Sequence, residues 1–270
     1  CWYLLKNRES RFARQSILIG SIVGVLGTFM VMFSGDKSAD HVAKYQPMKL
    51  AAVEGLYDGG ARAPFSMVPG VEVPGMLSIL ATHDIDGIVP GINDILNGYT
   101  RPDGTREPSA DEKIARGKTA IAALQAYRQA RAEKNDSIAL QQLEIFRHNE
   151  QYFGYGYVKD KAQLVPSIPL NFWAFRTMVG VGCLLILFFG VVALLTFKVP
   201  FFSVFTRRLL ASLGLMPETQ ADMHGATAMP CWLYVAAIVM VPLAYIASES
   251  GWLVAEMGRQ PWTIQDMLPT

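Results

Sequence analysis

Three apolar runs punctuate this chain, and charged positions crowd between them. Ser16 to Ser34, Thr177 to Phe197 and Ala228 to Ala247 are nearly free of charge. Each is about as long as a helix needs to cross a hydrocarbon core ~30 Å thick, which takes ~20 residues. The third run predicts a helix that continues through Trp252 to about Met257. Pro230 suits its start and Pro242 is placed to kink it. At ~28 residues it would be ~42 Å long, more than a bilayer core requires. In the first run Gly20 and Gly24 make a GxxxG, which permits close helix packing.

The polar stretch from Gly35 to Ile168 is too long for a structureless loop and should fold. Its first half carries turn signals at Gly59-Gly60, Pro69-Gly70, Pro74-Gly75 and Pro90-Gly91. Its second half has helical spacing. Ser109 to Glu112 form a capping box after Pro108, and Ile114, Ile121, Leu124 and Tyr127 follow. Asn135 and Asp136 interrupt the pattern, and Ala139, Leu140, Leu143 and Phe146 resume it. This predicts an amphipathic helical hairpin, packed on the rest of the stretch or on the membrane.

The fold class is therefore an all-α membrane protein with three transmembrane helices and a large, partly helical extracytoplasmic loop domain. The expected order is a cytoplasmic connector (1–15), a transmembrane helix (16–34) and the outer loop (35–168). A second transmembrane helix (169–197), a cytoplasmic loop (198–228), a third helix (229–257) and an outer segment (258–270) follow. Orientation comes from flanking cations. Lys6, Arg8, Arg11 and Arg14 precede the first run; Lys198, Arg207 and Arg208 follow the second. The positive-inside rule puts both groups in the cytoplasm and the long stretch outside.

Composition adds exclusions. The 270 residues are 51% hydrophobic and 17% charged, too apolar for an ordinary soluble domain and too charged to lie wholly in a membrane. A net charge of +1 suggests no nucleic-acid partner. The three cysteines, Cys1, Cys183 and Cys231, form no CxxC or CxxCH, which argues against a zinc ribbon, a thioredoxin-type motif and covalently attached haem. Phosphate loops, HExxH pairs and GxSxG elbows are absent. The chain opens Cys1-Trp2-Tyr3-Leu4-Leu5-Lys6, like the tail of an earlier helix, so an internal piece of a longer protein is expected.

Candidate chemistry sits at the ends of the apolar runs. Glu249, Trp252 and Glu256 fall at i, i+3 and i+7 and share one helix face; Arg259 follows before Gly and Pro end the helix. Carboxylates there either snorkel beside an interfacial Trp or face a protein interior or a polar cofactor. His41, His83, His148 and His224 all lie outside the apolar runs, so an intramembrane metal ligand within this chain must be Met, Cys or a carboxylate. Arg176 near the start of the second run suits snorkelling. Met178 suits plain packing or, as a thioether, the axial position of a low-spin haem. Gly180 and Gly182 leave room for a macrocycle or for a neighbouring helix, and the pattern does not choose. Lys49 and Glu54, five apart, do not share a helix stripe, so a surface helix turn without a local ion pair is the plain reading.

Taken together, Lys49-Leu50-Ala51-Ala52-Val53-Glu54, Ala81-Thr82 with Val89-Pro90-Gly91, Gly154-Tyr155-Gly156, Phe175-Arg176-Thr177-Met178-Val179 and Gly251 to Trp262 resemble subunit I of the cytochrome bd quinol oxidases. The Gly258-Arg259-Gln260-Pro261-Trp262 ending is the most specific of these pieces. The resemblance implies an enzyme that oxidises quinol at the outer face and passes electrons through haems to reduce dioxygen to water. It implies three cofactors: a low-spin haem b, a high-spin haem b and haem d. By this resemblance Met178 is an axial ligand of the low-spin haem iron and Arg176 lies beside that haem. Lys49 and Glu54 serve quinol oxidation. Glu256 lies at the high-spin haem b iron, Trp252 lies between haems, Arg259 compensates propionates, and Glu249 belongs to the same cofactor-binding face. Implied partners are quinol, dioxygen, subunit II, optionally a small accessory subunit, and the bilayer. The implied location is the bacterial inner membrane, with the loop on the periplasmic side. The family's histidine haem ligands and proton-channel carboxylates fall upstream of this piece, so the piece alone is not expected to hold haem d. Two rivals stand beside this reading. One is a proton-coupled transporter using Glu249 and Glu256. The other is a non-catalytic quinone-binding membrane subunit.

Overall fold

A computed structural model describes residues 10–68, 70–101, 103–196, 212 and 231–270. Lys6, Arg8, Lys198, Arg207 and Arg208, and with them all of the cytoplasmic loop expected over 198–228 except residue 212, lie outside the described residues. So do Cys1, Pro69, His224 and Pro230.

The described part of each apolar run lies on one long helix. Helix α1 spans Ser10–Tyr45, α7 spans Ile168–Thr196 and α8 spans Cys231–Met257. Among the described residues, three helices are long and apolar enough to cross a membrane. The first outruns its apolar stretch at both ends, since helix formation needs neither uniform hydropathy nor burial once nucleated. The third ends at Met257, as its pattern predicts, with Pro242 inside it.

The chain divides into two compact units, residues 1–35 with 177–250 and residues 36–176 with 251–270. In the first unit, Val192, Leu195 and Leu233 form a small buried cluster with Ile17, Phe188 and Val191 against it. A Cβ on Gly24 would sit 2.5 Å from the Phe189 ring, so that glycine admits the ring. Gly20 meets nothing within 4 Å, so only half of the GxxxG is used for packing among the described residues.

The second unit is built from short elements. Helix α2 (Pro47–Glu54) opens on Pro at its first turn and stops at Gly55, whose φ of 65° ends the helix in a left-handed cap. The turn-rich stretch forms α3 (Met76–Thr82), α4 (Ile92–Asn97) and two-stranded antiparallel ribbons. These pair β1 (Gly60–Ala61) with β4 (Ile88–Val89), β2 (Phe65–Val68) with β3 (Val71–Val73), and β5 (Tyr99–Thr100) with β6 (Arg106–Glu107). Ala63, Leu77, Ala81 and Val89 make their core.

The expected helical hairpin follows as α5 (Ala110–Ala132) and α6 (Asp136–Asn149). The capping box is present: Glu112 N donates to Ser109 Oγ at 3.2 Å, and Ser109 N donates to Glu112 Oε2 at 3.2 Å. Asn135 does more than interrupt the pattern. Its side chain accepts from Ile138 N and so caps α6. A 3-10 segment, Glu150–Tyr157, then packs along α5. Here Gly156 lies backbone-to-backbone on Gly117, and a Cβ on Gly154 would come 2.5 Å from Asp266 O. The Gly-Tyr-Gly motif thus has a steric cause. Tyr155, between those glycines, stacks edge-on against Trp262 at 4.8 Å and donates to Asp266 Oδ1 at 2.6 Å. Burial is the main reason its hydroxyl is held far above the ordinary tyrosine value, with Asp266 adding to it. The partners come from β7 (Trp262–Ile264) and the turn to β8 (Leu268–Pro269), so this motif anchors the end of the chain.

Candidate functional site

Val53 of α2, Ala174 of α7 and Val254 of α8 pack together, buried, with Phe175 and Leu253 against them. That contact carries the polar residues beside it into one region of the second unit. From α2 come Lys49 and Glu54, from α7 come Asn171 and Arg176, and from the end of α8 come Glu256 and Arg259.

Glu54 and Arg176 form a forked ion pair. Arg176 Nη2 lies 2.7 Å from Glu54 Oε2, and Nη1 lies 3.4 Å from Oε1. Their side chains are only 9% and 3% exposed, so water screens the pair little. Arg176 Nε also donates to Ser66 O of β2 at 2.7 Å. Three rings surround the guanidinium, Phe172 at 4.4 Å, Phe65 at 4.8 Å and Phe175 at 5.3 Å, in cation–π range. Burial raises the Glu54 carboxyl above its ordinary value, and Arg176 pulls it part of the way back. The expectation of a surface helix turn for Lys49 and Glu54 is therefore corrected. Glu54 is buried and its partner comes from 122 positions along the chain.

Lys49 points elsewhere. Burial lowers its pKa first and Arg259 lowers it further, while Glu256 raises it. Its ammonium has no hydrogen bond or ion pair among the described residues. Its stem runs past Gly258, where a Cβ would stand 3.0 Å from Lys49 Cγ and 3.1 Å from Asn171 Oδ1.

Glu256 and Arg259 pair at 2.7 Å, both about two-fifths exposed. Arg259 Nε is buried without an acceptor. Trp252 is 60% exposed and Glu249 is also exposed, so the described residues do not cover the face those two share with Glu256. In the first unit, Met178 is half-buried, and neither Gly180 nor Gly182 meets anything within 4 Å where a Cβ would be. No cluster of three or more His, Cys, Asp or Glu able to hold a metal occurs among the described residues, which leaves Met178 and Glu256 as single donors.

Across all 270 residues the chain matches the family model described as cytochrome bd terminal oxidase subunit I. The chain belongs to that family. It is similar to the cytochrome bd-II ubiquinol oxidase subunit 1 of Escherichia coli (strain K12), at 33% identity over the whole chain and half of that protein. It is also similar to the cytochrome bd ubiquinol oxidase subunit 1 of Bacillus subtilis (strain 168), at 25% identity over 99% of this chain and 42% of that one. The chain thus spans about half the length of the curated relatives it matches. Membership agrees with the three apolar helices and leaves the transporter reading without an observation in its favour.

Sequence reasoning picked out Lys49, Glu54, Arg176, Glu256 and Arg259 and the structure brings them into one unit. It missed three things. Nothing marked Ser66 as the residue whose carbonyl accepts from Arg176 Nε, since a backbone oxygen carries no sequence signal. Phe65, Phe172 and Phe175 looked like ordinary apolar residues. Asn171, 0% exposed, was legible only as an amide at the start of an apolar helix.

Proposed function

We propose that this chain is the quinol-receiving part of a cytochrome bd-type oxidase, whose complete protein carries electrons through haems to dioxygen and forms water. The buried Glu54–Arg176 pair, with Lys49 on the same short helix, supports this reading best.

Oxidising a quinol releases two protons and two electrons. A carboxylate that accepts one of those protons works best when its pKa lies near the operating pH. Burial moves Glu54 that way. Arg176 holds both carboxylate oxygens in a fork, which fixes their direction. When Glu54 takes up a proton, Arg176 still has Ser66 O and three aromatic faces, so its charge is not stranded. Lys49, whose ammonium is uncommitted, is suited to donate to a quinol oxygen.

The cofactors proposed are a low-spin haem b, a high-spin haem b and haem d. When bound, they supply the one-electron transfer and the oxygen chemistry. Met178 is proposed as the residue of this chain that would hold the low-spin haem iron through its thioether, and the open space at Gly180 and Gly182 would admit a flat ring nearby. Glu256 is proposed at the high-spin haem b, with Glu249 and Trp252 on the same face. Arg259 fits an anionic propionate edge through its unpartnered Nε–H. Subunit II, a small accessory subunit and the bilayer are the proposed partners. The inner membrane of a bacterium is the proposed location, with residues 35–168 on the periplasmic side.

Replacing Lys49 or Glu54 by Ala in the full-length oxidase should lower quinol turnover by tenfold or more while haem content stays near normal. Quinol turnover in membranes, read beside the optical haem spectrum, decides it; wild-type turnover in both variants would end this assignment.

A further inference from the structure

Asn171 is fully buried on α7, and its two amide ends are treated differently. Nδ2 donates to Ser167 O at 2.8 Å. Because a backbone carbonyl can only accept, this bond fixes the orientation of the amide. Oδ1 therefore faces the other way, and it has no donor. A buried carbonyl oxygen without a donor is uncommon and costs stability unless a mobile group serves it.

One such group stands beside it. Asn171 Oδ1 and Lys49 Cγ each lie about 3 Å from where a Cβ on Gly258 would be. The two atoms therefore lie within about 6 Å of each other, and the three bonds from Cγ to Nζ span roughly 3.5–4 Å. Rotation of the lysine stem alone can close the gap. The neighbouring carboxylates are already committed, Glu256 to Arg259 at 2.7 Å and Glu54 to Arg176 at 2.7 Å. Arg259 repels the ammonium, while Glu256 attracts it. Among the buried side-chain oxygens of the described residues, the asparagine Oδ1 is the one with no donor. Gly258 permits the arrangement, since any side chain there would enter the space between them.

We propose that Asn171 is a positioning residue whose side-chain carbonyl holds the Lys49 ammonium in place for the quinol. This rests on the assignment of Lys49 to quinol oxidation made above. Asn171 touches no substrate itself; it restricts where the flexible lysine head can stand, so less order must be gained when the quinol docks.

The test uses the full-length oxidase in membranes, with duroquinol as the probe and haem spectra as the assembly control. Asn171→Leu keeps the shape and removes the acceptor. It should lower kcat/KM for duroquinol about tenfold, with haem content unchanged. Asn171→Asp should stay within about threefold of wild type, because a buried carboxyl group can donate its O–H to Ser167 O and still offer a carbonyl to Lys49. In a Lys49→Ala background, Asn171→Leu should add nothing, which a merely structural role would not produce. Should Asn171→Leu fail to assemble haem, Asn171→Ser takes its place: its hydroxyl reaches the Ser167 carbonyl but not Lys49, and the same loss is expected. Wild-type kcat/KM in the acceptor-less variant, or a full additional loss on top of Lys49→Ala, overturns the positioning role alone. Normal turnover in Lys49→Ala overturns the quinol role of Lys49 and this inference with it.

Discussion

Among the described residues, Arg176 stands out for its interactions: a forked carboxylate, a backbone carbonyl and three rings. A lysine offers neither the fork nor the flat cation, so Arg176→Lys is not conservative here. Arg176→Met leaves the Glu54 charge buried and alone, a loss of about 3–5 kcal/mol for a pair this well covered. Thermal unfolding of the full-length protein checks it, and Glu54→Gln combined with Arg176→Met should recover part of the loss. The raised Glu54 pKa has a direction in pH as well. In the role of proton acceptor proposed for it, Glu54 must be ionised, so turnover should climb with pH through a limb lying above the ordinary glutamate value of ~4.3. Glu54→Gln should abolish that limb. The stability linkage runs the other way. The stability that proton uptake contributes is complete below the ordinary value and is lost as pH rises through the raised one. The chain's sequence exposed Glu54 and Arg176 as candidates, yet not as partners, because 122 positions separate them.

At the level of elements, local rules account for the helical hairpin and for little else in the outer stretch. Ser109 and Glu112 start α5 through a reciprocal cap that a four-residue pattern announces. Ser109→Ala should cost about 1 kcal/mol, read as faster hydrogen exchange in the first turn of α5. The packing of α5 on the 3-10 segment has no such signature. It depends on Gly117 and Gly156 meeting through their backbones. Gly156→Val should force the segment away from α5 at a cost of about 1–3 kcal/mol or more, and free Tyr155 from Asp266. Limited proteolysis should then cut after the hairpin at protease concentrations that spare the wild type. The small ribbons were unreadable as strands because each has only two to four residues, too few for an alternating pattern to show.

For the whole molecule, three apolar helices and a family match over every residue place this chain in a membrane oxidase subunit. Met178→Leu in the full-length protein should abolish the low-spin haem spectrum or convert it to high spin, since a leucine offers the iron no electron pair. Reduced-minus-oxidised optical spectra of the purified complex would show this; an unchanged low-spin signal would remove Met178 from the ligand set. Topology is open to a direct check too. A cysteine placed at Ser137 on α6 should react with a membrane-impermeant maleimide added outside intact cells, and one placed at Ser203 should not.

What the chain determined by itself is one-dimensional. Hydropathy set the number of spans among the described residues, a capping pattern set the start of α5, and short motifs, through their resemblance to a family, singled out Lys49, Glu54, Arg176 and Met178. All of these depend on neighbours a few positions away, which a string of residues retains. Tertiary structure decided who pairs with whom. Glu54 meets Arg176, Lys49 and Asn171 both lie against Gly258, and Tyr155 meets Asp266, each across a long separation. Burial then sets the strength of those contacts. Burial belongs to the folded surface as a whole, and no single stretch of sequence holds it.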